Sequence, residues 1–392
     1  MKKLAIITTH PIQYNAPFFK LLTERKQIEI KVFYTWSQSA DGKKFDPGFG
    51  KSVQWDIPLM HGYAYTFVEN NSTDPGSHHY KGISNPSLVR EIQVWGANAI
   101  LVYGWNFKSH WKVIRFFYKK LPVFFRGDST LLDQKKGIKQ LLRKVVLKYI
   151  YSYINIAFYA GVANKAYFEA MGLKKSQLVF MPHAVDNDRF AANDINIARG
   201  SSLRQALNIG ENATVFLFAG KLEEKKQPEF LVERFISLKN KKAYLIITGS
   251  GKLEKHLKDF FSDHPFVKFI GFKNQFEMPA VYNSCDVFIL PSKGPNETWG
   301  LAINEAMAAG KAIIASDKCG ASYDLIEQNK NGFVFKNDSM SELISALAFF
   351  ADDKISAKSM GLLSLEKIKK YSFKMDCEAI ENTLFTIGRT KE

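Results

Sequence analysis

Residues 286–310 read DVFILPSKGPNETWGLAINEAMAAG, and this stretch decides the fold. VFIL at 287–290 is a short, wholly apolar run bounded by Asp286 and Pro291, the pattern of a strand buried on both faces. Lys293, Gly294, Pro295 and Asn296 break it into a loop. Gly300 and Leu301 then open a helical stretch that Gly310 ends, as a helix-terminating glycine should. One strand, one loop and one helix make the repeating unit of a parallel α/β sheet.

The same unit recurs on both sides. From about residue 210 the strand-like runs are TVFLFAG, AYLIITGS, VKFIGF, DVFILPS and AIIASD, each followed by a helix-like stretch. Before it come LAIITT, IEIKVFY, NAILVYG, VFFRG, NIAFYAG and LVFMPHAV. Two such series predict an α/β protein of two Rossmann-like, doubly wound parallel-sheet domains. A chain of 392 residues exceeds what one core usually organises, which agrees. The polar, turn-rich 186–208 separates the series, giving a first domain at 1–190 and a second at 205–372. A last helix in 375–392 is expected to cross back onto the first domain.

Composition narrows the partners. Cys285, Cys319 and Cys377 are far apart with no CxxC pair, which excludes a disulfide framework or structural zinc and fits a reducing cytosol. The opening MKKLAIITTHPIQ has too short an apolar run for a signal peptide and reads as a first strand. The uncharged 149–164 is too short and polar to span a bilayer. Net charge is +16, and 105–148 holds twelve Lys or Arg against Asp128 and Asp133, a local excess of twelve minus two, or ten. An anionic partner for the first half follows. The basic segment carries no recognisable nucleic-acid module, so nucleic acid is not expected.

In open α/β sheets, ligands bind where strands end and helices begin. Lys221 stands directly after FLFAG and Lys226 five residues on; two ammonium groups there can neutralise a diphosphate leaving group without a metal. The alternative is a solvated charged loop. The helix start at 300–301 offers free amides to phosphate oxygens. Carboxylates accept two hydroxyl hydrogen bonds at once, so Glu305 suits a ribose diol and Glu297 hexose hydroxyls.

The spacing of Glu297 and Glu305 resembles the E-x7-E signature of glycosyltransferase family 4. GKLEEKK at 220–226, ITGSGKLEKHL at 247–257 and PHAVDNDRF at 182–190 resemble that family's blocks in order and spacing. The resemblance implies the GT-B fold of two facing Rossmann-like domains and transfer of a sugar, with retention of configuration, from a nucleoside diphosphate sugar. It implies that Lys221 and Lys226 contact the diphosphate, Glu297 the transferred sugar and Glu305 the ribose. Trp299, Gly300 and Leu301 would supply backbone contacts, and Gly249 and Gly251 would lie close to the nucleoside. Trp299 stands where the family has phenylalanine. No cofactor and no metal are implied: Asp186, Asn187 and Asp188 read as a D-x-D triplet but sit in the hinge block. A sugar-nucleotide epimerase of the same fold is the competing reading.

The acceptor is expected on the first domain: a glycan or lipid-linked hydroxyl, in bacterial-type surface glycan synthesis (lipopolysaccharide, capsule or lipid-linked oligosaccharide). His10 and Gln13 follow the first strand and are candidates for acceptor or phosphate contact. Arg126 and Asp128 follow another, as phosphate clamp and proton acceptor, or as a local ion pair. The aromatic 55–67 reads as groove or core. Between Gly137 and Ile150, Ile138, Leu141, Leu142, Val145 and Tyr149 recur at helical spacing among basic residues, which predicts either that 106–148 makes peripheral contact with anionic lipid at the inner face of the plasma membrane or that an ordinary helix buries that stripe.

Overall fold

The computed structural model describes residues 1–37, 43–46, 48–133, 137–295 and 297–389. Lys135 and Lys136 of the basic segment, Asn296 of the E-x7-E loop and 390–392 of the last helix lie outside them. The chain divides into two compact units: Met1–Lys44, Ile57–Pro182 and Phe373–Glu392 form one, Phe45–Asp56 and His183–Ser372 the other.

The first half contains β1 (Lys3–Thr8), β2 (Glu29–Tyr34), β3 (Lys43–Asp46), β4 (Lys51–Gln54), β5 (Ala64–Phe67), β6 (Ala99–Tyr103), β7 (Val123–Arg126), β8 (Ile156–Tyr159) and β9 (Leu178–Phe180). Seven of these form one sheet in the order β5-β2-β1-β6-β7-β8-β9, every pair parallel, while β3 and β4 form a separate two-stranded ribbon among the described residues. Its central strands β1, β6, β7 and β8 are largely apolar because both faces are covered, while the edge strand β5 is partly exposed. Alternation along β1 shows this: Leu4 and Ile6 pack with Phe18, Phe19, Ile380 and Leu384, whereas Ala5 and Ile7 pack with Leu88, Ile92, Val113 and Ile114.

The helix Phe373–Arg389 belongs to this unit. Arg25 holds it with a fork onto Glu381, Nε to Oε1 at 2.8 Å and Nη2 to Oε2 at 2.7 Å, and Lys2 donates to the Leu384 carbonyl at 2.9 Å.

The second unit holds β10 (Thr214–Ala219), β11 (Ala243–Thr248), β12 (Val267–Gly271), β13 (Val287–Leu290), β14 (Ala312–Ser316) and β15 (Gly332–Phe335) in the order β12-β11-β10-β13-β14-β15, again all parallel. One apolar core lies against it, with Phe216, Phe218, Ile289 and Ile314 meeting Val232, Phe235, Leu343 and Phe350.

Two stretches of the expected first domain, 1–190, belong instead to the second unit. Phe45–Asp56, with most of the β3–β4 ribbon, is fixed by polar contacts. Ser250 donates to the Phe49 carbonyl at 3.1 Å, Asn274 to the Gln54 carbonyl at 2.7 Å, and the Phe276 amide to the Asp56 carboxylate at 3.0 and 3.1 Å. The hinge block crosses over at His183, whose carbonyl accepts from Asn304 Nδ2 at 2.7 Å, and Val185 bridges to Ser372.

Candidate donor site

Strand order in the second unit reverses between β10 and β13, so the loops leaving these neighbours diverge and leave a crevice at their carboxyl ends. The loop after β10 carries Lys221 and Lys226; the loop after β13 carries Glu297 and runs into the helix Leu301–Ala308. Lys226 Nζ donates to Glu297 Oε2, and the Ser292 hydroxyl donates to the same oxygen at 3.0 Å. Glu297 is 9% exposed, so an ammonium and a hydroxyl replace the water its carboxylate has lost.

Lys221 has its own carboxylate. Its Nζ lies 2.7 Å from Asp46 Oδ1 and 5.0 Å from the centre of the Phe49 ring. Asp46 also accepts from the amides of Gly48 at 2.8 Å and Phe49 at 3.2 Å. Burial alone would raise the Asp46 carboxyl, but the Lys221 hydrogen bond and charge, with those amides, hold it below its ordinary value. Nothing in the sequence pointed to Asp46, which lies 175 positions from Lys221. The two lysines are therefore paired rather than bare.

Glu305 is buried, and the Tyr282 hydroxyl donates to its Oε2 at 2.6 Å, fixing the carboxylate plane. Trp299 is also buried. Its Nε1 donates to Asn304 Oδ1 at 2.7 Å, and its ring lies 5.5 Å from His183 and 6.2 Å from Tyr371. The indole thus locks the loop to the helix and the hinge block, which is more than a larger phenylalanine would do. Gly300 has φ 102°, and a Cβ there would stand 2.7 Å from Leu290 Cδ2, so only glycine makes this entry into the helix. Gly300 offers this helix no side-chain cap, and the Ile303 amide turns back to the Gly300 carbonyl at 2.9 Å.

Gly249 and Gly251 are required by the packing of their own loop. A Cβ on Gly249 would fall 1.8 Å from the Gly220 carbonyl oxygen, and one on Gly251 2.5 Å from that of Leu222. These glycines let the loops after β10 and β11 lie against each other, and the bonds Leu222 N to Ser250 O and Leu253 N to Leu222 O, both 2.9 Å, seal the contact.

The first-unit candidates separate in the same way. His10 Nδ1 lies 2.9 Å from the Thr9 hydroxyl and its ring stands edge-on to Trp36 at 5.5 Å; Gln13 sits half-buried in the turn before the helix Ala16–Glu24. Arg126 is buried and spends both terminal nitrogens on the chain, Nη1 on the Met181 carbonyl and Nη2 on that of Pro182 at 2.9 Å. Its charge also faces Asp376, whose carboxyl burial pushes well above the ordinary range while Arg126 pulls the other way. These contacts make Arg126 a brace within its own unit. Asp128 is exposed beside it.

A polar knot at the carboxyl ends of β2 and β6 left no mark in the sequence. His110 Nδ1 donates to the Gly104 carbonyl at 3.0 Å, and its Nε2 lies 3.0 Å from the Thr35 hydroxyl. Burial lowers the imidazole to about 4, so it is neutral at physiological pH.

The D-x-D triplet is used locally. Asp186 caps a short helix by accepting from the Arg189 amide at 3.1 Å, and Asn187 donates to the carbonyls of Ile368 and Tyr371 at 3.3 and 3.2 Å. Among the described residues, one trio of possible metal ligands comes together, Asp74, His78 and His79, none of them in the donor loops.

Two parallel doubly wound sheets, with a polar crevice at the switch point of the second, define the GT-B class. Residues 201–363 match the model of the family Glycosyl transferases group 1. Among curated proteins it is similar to sulfoquinovosyl transferase SQD2 of Arabidopsis thaliana, 25% identical over 288 residues, 72% of this chain and 48% of the relative. It is also similar to the UDP-Gal:alpha-D-GlcNAc-diphosphoundecaprenol alpha-1,3-galactosyltransferase of Escherichia coli, 30% identical over 183 residues, 45% of each chain. The chain thus spans about half the length of these relatives. Among solved structures, Anabaena HepE in complex with UDP and glucose superposes with a TM-score of 0.71 at 17% identity, covering 98% of this chain and 100% of that one, which shows the shared fold.

Proposed function

We propose that this chain is a retaining, metal-independent glycosyltransferase of family 4 that moves a sugar from a nucleoside diphosphate sugar to a hydroxyl of a glycan or lipid-linked acceptor. The observation that carries this reading is the Lys226–Glu297 pair, backed by Ser292, at the mouth of the β10/β13 crevice beside the start of Leu301–Ala308. Lys226 and Lys221 would exchange their carboxylates for the two phosphates, and Glu297, released, would accept from sugar hydroxyls. The bond from the anomeric carbon to the diphosphate oxygen breaks, the acceptor oxygen bonds that carbon on the same face, and the acceptor proton passes to the departing diphosphate. Positioning and leaving-group stabilisation then supply the rate. The named relative's diphosphoundecaprenol substrate supports a lipid-linked acceptor in surface glycan synthesis. Three buried, free thiols agree with a reducing compartment.

The test is a thermal-shift screen of UDP, GDP and ADP with their sugars, followed by turnover of the winning donor in chelator. Glu305→Ala should lose the nucleotide shift. Glu297→Gln should keep it and lose about a hundredfold or more in kcat. A strict need for divalent metal would overturn the mechanism, and interconversion of the donor sugar without acceptor, seen by nuclear magnetic resonance, would make the protein an epimerase.

A further inference from the structure

We infer that the helix Ile138–Tyr151 and the basic, aromatic helix Lys108–Phe117 together form a docking face for an anionic phospholipid bilayer. This stands independently of the donor reading.

The helix Ile138–Tyr151 turns its apolar row outward. Ile138, Leu141, Leu142, Val145, Val146 and Tyr149 are each between 53% and 80% exposed. The side that meets the core is Leu147, Ile150 and Tyr151. At 3.6 residues per turn the two rows lie about half a turn apart, so the exposed row points straight away from the sheet. This settles the choice the sequence left open: the stripe is not the buried one. A row of this kind in water is unfavourable unless something covers it.

The surroundings say what covers it. Lys139 and Arg143 flank the row on one side, Lys144 and Lys148 on the other, as a helix lying in a membrane interface requires. Trp111 continues the surface, its ring 6.2 Å from Tyr149 and 5.2 Å from Tyr153, and amphipathic rings of this type favour the headgroup level. Next to Trp111 is a shallow pocket of about 410 Å³ whose walls alternate cations with rings: Lys108, Lys112 and Arg115 against Tyr80, Trp111 and Phe116. Three cations in one recess suit a phosphate headgroup, while the leucines and valines suit acyl chains. A protein partner would have to match the row with an apolar face and the flanks with acidic ones; a leaflet of anionic lipid offers both in one surface. Among the described residues no helix is long and apolar enough to cross a membrane, so the contact is one of lying on the surface.

The full chain should be sedimented with vesicles of phosphatidylcholine alone and of phosphatidylcholine with phosphatidylglycerol. Wild type is expected to pellet with the anionic vesicles and stay in solution with the neutral ones, with binding weakened by salt. Leu142→Glu with Val145→Glu, and separately Lys112→Glu with Arg115→Glu, should each weaken vesicle binding by about tenfold or more. Because these side chains are exposed, melting temperature and UDP affinity should stay as in wild type. Equal binding to both vesicle types, or undiminished binding by either double variant, would overturn the proposal. So would a wild-type dimer that the leucine and valine changes dissociate, because a second copy of the chain would then be the cover.

Discussion

Asp46 offers the sharpest handle on the donor crevice, because it holds Lys221 where the proposed reaction needs a phosphate. At 2.7 Å the bare Coulomb attraction is about 6 kcal/mol at an effective dielectric constant of 20 and about 1.5 kcal/mol in water. The side chains retain 32% and 27% of their exposure, so desolvation and lost side-chain freedom cancel most of this, leaving a net of about 1 kcal/mol. A diphosphate must displace that carboxylate and sit near its charge. Asp46→Asn removes the charge while keeping an oxygen for the amides of Gly48 and Phe49, so the turn of the ribbon survives. Donor affinity should therefore rise about fivefold, the equivalent of about 1 kcal/mol.

Isothermal titration with UDP measures this directly, and Lys221→Met supplies the second arm of a double-mutant cycle. The gain from Asp46→Asn should shrink in the Lys221→Met background, because no pair remains to break. Unchanged or weaker UDP binding by Asp46→Asn would refute the displacement reasoning, as would a gain of undiminished size without Lys221. The pH dependence has a definite sign. The native carboxyl is held below its ordinary value, so the pair persists throughout the neutral range and is lost only as pH falls through that lowered value.

Two further outcomes test the assignments in the first unit. Arg126→Met leaves two buried carbonyls unmet, at a cost of about 2–4 kcal/mol, so the melting temperature should fall by about 4–12 °C; unchanged melting with lost transfer would place Arg126 in the catalytic site. His110 sits at about 4 in the fold against about 6.5 when unfolded, so the unfolded chain takes the proton first, and stability constant above pH 7 should decline by about 3 kcal/mol in total as pH falls from 6.5 to 4; urea midpoints across this range should be flatter for His110→Gln, and equal slopes would refute the buried neutral ring.

The two sheets were legible because parallel strands buried on both faces are near-continuous apolar runs, and TVFLFA and AIIAS need no context to be read as such. The Glu297 loop was legible because its residues lie in one strand-to-helix connection. What the sequence concealed was contact across distance. The ribbon of Phe45–Asp56 joins the second unit through carbonyls and single side chains, which leave no periodic pattern. Arg126 looked like a ligand because Arg, Gly and Asp follow a strand, yet its partners are the carbonyls of Met181 and Pro182, which any sequence could supply. At Gly249 and Gly251 the backbone of Gly220 and Leu222 comes close, a contact across loops that the sequence did not display. For Ile138–Tyr151 the periodicity revealed a stripe but not its direction, because a helix with two apolar edges can be turned either way until Leu147, Ile150 and Tyr151 are seen in the core.

The paired lysines bear on selectivity. A crevice with two bare ammonium groups would hold any polyanion that reached it, and a chain of net charge +16 meets many. Here Lys221 rests on Asp46 and Lys226 on Glu297, so an incoming anion gains only the difference between its own contacts and the carboxylate contacts it displaces. A single phosphate can exchange with one carboxylate and comes out nearly even. On the proposed reading, a diphosphate exchanges with both, lies by the start of the helix Leu301–Ala308 and leaves Glu297 open for hydroxyls of the attached sugar. The sugar and the second phosphate are thus what tip the exchange, so the intact donor should displace both carboxylates where inorganic phosphate does not.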